Sequence, residues 1–424
     1  MGGIAYDAKG QLDAAIGEFQ KALRINPVYA DAQVNLGYVY YAKGRFDAAI
    51  RECQEVLKIN PVDADAHAIL GNAYYAKGQV DAAIAEFQEV LRINPNHAEA
   101  HFKLGLAYYD KGQLDEAIRE YQEAVRINPN NSQVHNSLGV AYHAIGQLEA
   151  AIGEYQEALR IDPNHAEPHI NLGIAYKDIG QLEAAIEEYQ EALRINPNSA
   201  EVHNSLGIAY KAKGQLEAAI REYQEALKIN PNSAEVHHNL GLAYYARRQL
   251  DEAIREYQKA LKINPNNAEV HNGLGLAYFG KGRLNAAIKE YQKAMRINPN
   301  NAGLYVNLGN VYYAKGQLDE AMRECQEALR INPNYATAHH NLGLLLSAKG
   351  QLDEAIREYQ QALSINPDDA EVHYSLGSAY KAKGQFREAI SCYQAFVQLA
   401  PGDYGYWLRV KQVEIMIRHM KEGL

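Results

Sequence analysis

Nine histidines, His67, His101, His135, His169, His203, His237, His271, His339 and His373, stand at multiples of 34 residues from one another. Imidazole binds metals and titrates near neutrality, so such a row could be a metal ladder or a pH sensor. Zinc needs two or more ring nitrogens, each about 2.0–2.1 Å from one ion. Residues on neighbouring packed helices are about 8–10 Å apart, so a metal is disfavoured and no cofactor is expected. The expectation is weak acid sensitivity, because charging partly buried imidazoles below pH ~6.5 costs stability. Carboxylates are plentiful, but they recur with the same period, which marks solvated helix faces and i,i+4 pairs such as Glu217 with Arg221. No Gly-rich phosphate loop, H-E-x-x-H or G-x-S-x-G is present. Cys53, Cys325 and Cys392 are too far apart for a C-x-x-C metal pair or a disulfide framework. An enzyme is not expected.

Groups suited to binding remain. Asn35, Asn171, Asn239, Asn307 and Asn341 share one place in the period, and Asn136, Asn204 and Asn272 share the place before it. An amide both donates and accepts, so a row of them suits an extended peptide backbone. The alternative is a polar filler copied by duplication. Tyr41, Tyr75, Tyr109, Tyr245, Phe279 and Tyr313 share another place, in two blocks around His143, Lys177 and Lys211. Aromatics facing a groove make contact at low entropic cost; alternatively, they pack sideways against the neighbouring hairpin.

These residues need elements to hold them. Proline falls every 34 residues from Pro27 to Pro401, without insertion or deletion. Between Ala200 and Asn232, Leu206, Gly207, Ala209 and Tyr210 recur at helical intervals until Gly214 breaks the pattern. Asn198 and Glu201 have capping-box spacing before that helix. Leu216, Ala219, Ile220, Tyr223, Ala226 and Leu227 form a second stripe, which Pro231 ends. Each period is an antiparallel helical hairpin. One hairpin cannot offset its chain entropy, about 1–2 kcal/mol per residue for the backbone, so neighbours must stack.

Composition sets limits. The net charge of −10 over 424 residues disfavours nucleic acid and anionic membranes as partners. No signal-like or membrane-spanning stretch is present, so a cytoplasmic location is the expectation.

The residues His203, Leu206, Gly207, Tyr210, Ala219, Tyr223, Ala226 and Pro231 closely resemble the signature of the tetratricopeptide repeat (TPR) family. That resemblance implies an all-α, right-handed superhelical solenoid of antiparallel hairpins. It divides the chain into an incomplete repeat over 1–29, eleven complete repeats over 30–403 and a capping helix over 404–424. Counting each repeat from the residue 31 before its proline, it also implies that positions 2, 5, 6, 9, 12 and 13 line a concave face. The asparagines and aromatics above then become groove residues for a peptide or protein ligand, and the chain a protein-interaction scaffold. Position 2 is acidic in eight repeats, for example Glu167 and Glu201, which suits the helix dipole or a rim selecting basic peptides. The asparagine row is similar to that of the TPR arm of peptide O-GlcNAc transferases, so a substrate-recruiting arm of a glycosyltransferase-like enzyme is the alternative. A third reading is head-to-tail self-association through the repeat ends. The family's carboxylate clamp for chaperone tails is not matched by any three successive repeats. Departures are few: Arg248 replaces the inter-helix glycine, and Leu346 replaces the position 11 tyrosine.

Overall fold

The computed structural model describes residues 12–400 and 404–422. The stretch 1–29, expected to be an incomplete repeat, is described only from Leu12; Gly3 and Tyr6, which fall at signature positions of that expected repeat, lie outside the described residues, as does Pro401. Among the described residues there are 24 α-helices and no strand. The all-α expectation holds. A first helix of 13 residues, such as Ala166–Asp178, alternates with a second helix of 14, such as Leu182–Ile195. The chain divides into two compact units, Met1–Lys213 and Gly214–Leu424, each a run of such hairpins.

Local chemistry sets the helix ends. Asn196 leaves helical geometry at φ −128° and Pro197 follows, so the second helix cannot continue. First helices are capped by short polar side chains: Asn131 accepts from Gln133 and Val134, and Asp369 from Glu371 and Val372. For the helix Ala200–Ala212 the cap is Ser199, whose Oγ accepts from the Val202 amide at 3.4 Å. Asn198, expected as the cap, instead donates its own amide to Asn196 Oδ1 at 3.3 Å. The post-proline turn claims Asn198, and the helix begins one residue later.

Between the two helices the chain turns through the left-handed region. Ten glycines sit there at φ +69° to +79°, and Arg248, at φ +60°, is the one non-glycine residue among those described. The Cβ of an L residue crowds the carbonyl in this region, at about 1–2 kcal/mol. Arg248→Gly is therefore expected to stabilise the second unit by about 1 kcal/mol, the extra freedom of glycine in the unfolded chain offsetting part of the gain. A urea titration checks this, and an unchanged or lower midpoint would refute the strain.

Packing inside a hairpin depends on one close approach. Tyr121, Tyr155 and Tyr189 in the first unit, and Tyr257, Tyr291 and Tyr359 in the second, are among the most deeply buried large side chains. Each ring lies on a first-helix glycine where no Cβ could fit: at Gly173 it would stand 2.6 Å from Tyr189 Cε1. Alanines complete the seam, with Ala185 and Ala192 buried beside Tyr189.

Hairpins are also tied to one another by polar side chains at fixed separations. Gln156 Nε2 donates to Tyr176 Oη at 2.9 Å, and Gln258 Nε2 to Tyr278 Oη at 3.0 Å, each across 20 residues. Lys77 Nζ meets Asp47 at 2.5 Å and Lys349 meets Asp319 at 2.7 Å, each across 30 residues. The two ammonium groups hold these exposed carboxyls below the usual aspartate range. Glu217 belongs to the same series: it pairs with Arg247 of the next repeat at 3.1 Å, where the sequence suggested Arg221. The many pairs along a second helix are spaced i,i+3, as in Glu225 with Lys228 at 2.6 Å. The final helix, Tyr404–Glu422, buries Val413 and Met420 against Ile390, Tyr393 and Phe396. Its Arg409 donates to Glu371 at 2.6 Å and lies 4.1 Å over the Tyr374 ring.

Candidate peptide-binding wall

The histidines do not line a cleft. They close the hairpin. His135 Nδ1 lies 2.6 Å from Glu154 Oε2 on the second helix, while Nε2 lies 3.0 Å from the Pro129 carbonyl before the repeat. The same arrangement holds at His67, His101, His169, His237, His271 and His339, with Nδ1 2.6 Å from Glu86, Glu120, Glu188, Glu256, Glu290 and Glu358. A neutral imidazole has one N–H, so a ring with acceptors at both nitrogens is best satisfied when protonated. The Glu154 and Glu188 carboxylates accordingly raise His135 and His169 above the ordinary histidine value, against the opposing effect of burial. At His135 and His169 this corrects the expectation that charging the ring costs stability, because periodicity along one strand of sequence cannot display a partner on another helix. At His373 the residue in the glutamate's place is Cys392, and His373 Nδ1 has no hydrogen-bond partner. Where Tyr305 stands in the histidine's place, its hydroxyl donates to the Pro299 carbonyl at 3.0 Å. Burial then raises the Glu324 carboxyl.

The expected groove residues lie on the first helices, as their register requires. Several asparagines are joined in pairs. Asn171 Nδ2 donates to Asn136 Oδ1 at 2.9 Å, and Asn307 Nδ2 to Asn272 Oδ1 at 3.0 Å, each pair bridging adjacent repeats. Asn341 Nδ2 donates to Asn310 Oδ1 at 2.9 Å, an acceptor that the position 5 and 6 pattern did not reveal. Asn35 turns to its own helix, donating to the Asp31 carbonyl at 2.6 Å. Asn136 and Asn204 are buried, at 3% and 8% exposure, whereas Asn171, Asn239, Asn272, Asn307 and Asn341 are half-buried.

The aromatics divide. Tyr41 is half-buried and packs tilted on Phe46 with ring centroids 5.8 Å apart. Tyr75, Tyr109, Tyr245 and Phe279 are half-buried against the hairpin cores. The Tyr75 hydroxyl also donates to Asp110 of the next repeat. Tyr313 is 52% exposed. With Gly309, Asn310, Cys325, Asn341, Leu344 and Leu345 it lines a shallow recess in the second unit. That recess exists because Cys325 stands where most repeats place a tyrosine ring. Burial pushes its thiol up to about 12, so it stays protonated at neutral pH and does not act as a nucleophile.

Family profiles described as tetratricopeptide repeat match residues 8–73 and 370–403, and one described as TPR repeat matches 345–384. A profile described as the cilia and flagella-associated protein 70 C-terminal domain matches 52–262 and 169–364. No curated protein matches the chain. Among solved structures, the chain is similar to MamA at 32% identity, over 41% of this chain and 94% of that one, with a TM-score of 0.38. It is similar to YrrB, titled a TPR protein with an unusual peptide-binding site, at 23% identity over 44% and 96%, with a TM-score of 0.39. The anaphase-promoting complex assembly Cut9–Hcn1 aligns over 97% of this chain and 95% of that one, at 15% identity and a TM-score of 0.49. Among the described residues, no helix is long and apolar enough to cross a membrane.

Proposed function

This chain belongs to the tetratricopeptide repeat family, and on that premise we propose that it is a protein-interaction scaffold. The first helices take up an extended peptide or protein segment, and no step of covalent chemistry is involved. One observation carries this reading. The residues that seal each hairpin barely change from repeat to repeat, while the half-buried groups at positions 6 and 12 do. Packing holds the first set nearly to one residue type, whereas the second set varies between amides, hydroxyls, amines and rings. The amide pairs support it further. Asn171 spends one N–H on Asn136 and keeps its other N–H and its carbonyl oxygen, oriented in advance, for a ligand backbone.

The test uses peptides selected from a random dodecamer display library on the full chain. Replacing Asn171, Asn239, Asn307 and Asn341 together by Ala is expected to weaken the selected peptides about tenfold or more, at roughly 0.5–1.5 kcal/mol per lost hydrogen bond. Helicity by circular dichroism should hold. Undiminished affinity in the fourfold variant would remove these asparagines from the site.

A further inference from the structure

We propose that the wall of the first unit holds a subsite for an acidic peptide, in which Lys177 and Lys211 bind carboxylates that the ligand supplies. This rests on the scaffold reading and specifies the chemistry of its partner. The chain fills such a socket itself at two places. The Tyr75 hydroxyl, at position 12, donates to Asp110, at position 13 of the next repeat. His143, again at position 12, has Nε2 3.0 Å from Asp178, again at position 13 of the next repeat. A donor from one repeat and a carboxylate from the next, 35 residues on, thus meet on the same edge of the wall.

Lys177 and Lys211 are the next two residues in this register, and their donors have lost their acceptors. The residue 35 after Lys177 is Ala212, and the residue 35 after Lys211 is Ala246. Lys177 turns to Asp178 on its own helix at 3.3 Å, a carboxylate already shared with His143. The Lys211 ammonium makes no hydrogen bond or ion pair among the described residues, although the residue is half-buried. Burial alone lowers its amine below the usual lysine range. An ammonium stripped of water without a counter-ion is unfavourable, and an arriving carboxylate offsets that cost.

Neighbouring acids do not serve. Glu183 is held by Lys213 at 2.8 Å. Glu201 lies ten residues before Lys211 on the same helix, about 15 Å along its axis at 1.5 Å per residue. Adjacent helices packed about 8–10 Å apart and an extended strand rising about 3.3 Å per residue put the two ligand carboxylates about three residues apart. The subsite selects Asp or Glu, the opposite of the basic peptide that an acidic rim would prefer.

The experiment applies a random dodecamer phage library to the full chain, to Lys177→Ala/Lys211→Ala and to Lys177→Gln/Lys211→Gln, which keeps the side-chain stems. The wild type is expected to enrich peptides with acidic residues about three apart. Both double variants should still enrich peptides but lose that preference. A selected peptide resynthesised with Glu→Gln should bind the wild type about tenfold more weakly and the variants without difference, the signature of direct coupling. Peptides enriched without acidic residues, or an equal Glu→Gln loss in the variants, would overturn the subsite and leave the scaffold standing. Failure of every form to enrich any peptide would overturn both.

Discussion

Gly173→Ala is expected to destabilise its hairpin by about 1–3 kcal/mol through overpacking, although alanine is the better helix former by about 1 kcal/mol. The reason is the Tyr189 ring. A Cβ on Gly173 would stand 2.6 Å from Cε1 and 2.8 Å from Cδ1 of a side chain with 0% exposure. Those atoms are the middle of a rigid, enclosed ring, so the helices must separate. The same substitution at Gly309 should behave differently. There Cys325 replaces the ring, and the new Cβ would meet the Ala321 carbonyl oxygen at 3.3 Å and Cys325 Sγ at 3.4 Å. Helix propensity then roughly offsets a mild crowding, and Gly309→Ala should fall within about 1 kcal/mol of the parent. Adding Tyr189→Leu to Gly173→Ala should recover part of the loss, because the two changes share one contact. A solenoid opens locally, so hydrogen exchange across 166–195 is the measurement of choice, not a single global melt. Gly173→Ala as protected as the parent, or Gly309→Ala equally harmed, would show that the ring does not govern this approach.

Acidification from about pH 8.5 to 6.5 is expected to stabilise the repeats containing His135 and His169. Their folded-state values are raised by Glu154 and Glu188. A raised histidine contributes stability that is fully present below its unfolded value, about 6.5, and that is lost as pH climbs through the folded value. At much lower pH the gain reverses, because carboxylates of the same repeats held low by arginines, Glu157 by Arg160 and Glu191 by Arg194, then protonate. His135→Gln should remove the dependence from its own repeat and cost about 1–3 kcal/mol at pH 6.5, since Glu154 loses a charge-assisted partner. His373 offers the converse. With Cys392 across from it, its repeat lacks the glutamate, and Cys392→Glu should create the dependence there. Local hydrogen exchange, corrected for the intrinsic pH effect, reads both. Protection at His135 that falls between pH 8.5 and 6.5 would refute the charged tie.

Much of this was legible in the chain itself. Prolines at a fixed period, glycines between helices and stripes of Leu, Ala and Tyr determine where each helix begins, turns and ends, because those choices are made among residues a few places apart. Arg248 could be suspected from its place among glycines, and its φ of +60° bears that out. The asparagines and aromatics could also be placed on the first helices, since register along one helix follows from 3.6 residues per turn, whereas their lining of a groove was implied only by the family resemblance. What periodicity could not reveal were partners on different helices. Glu154, 19 residues from His135, Gln156, 20 from Tyr176, and Asp47, 30 from Lys77, meet their partners only at the angle at which the hairpins close. So do Asn136 with Asn171, and Asp178 with His143. The hairpins and their apolar faces follow from the order of residues alone, since short-range sterics and burial decide those. Which polar groups are satisfied and which, like the Lys211 ammonium, have no partner among the described residues depends on the assembled fold, because hydrogen bonds turn on tenths of an ångström between separate elements.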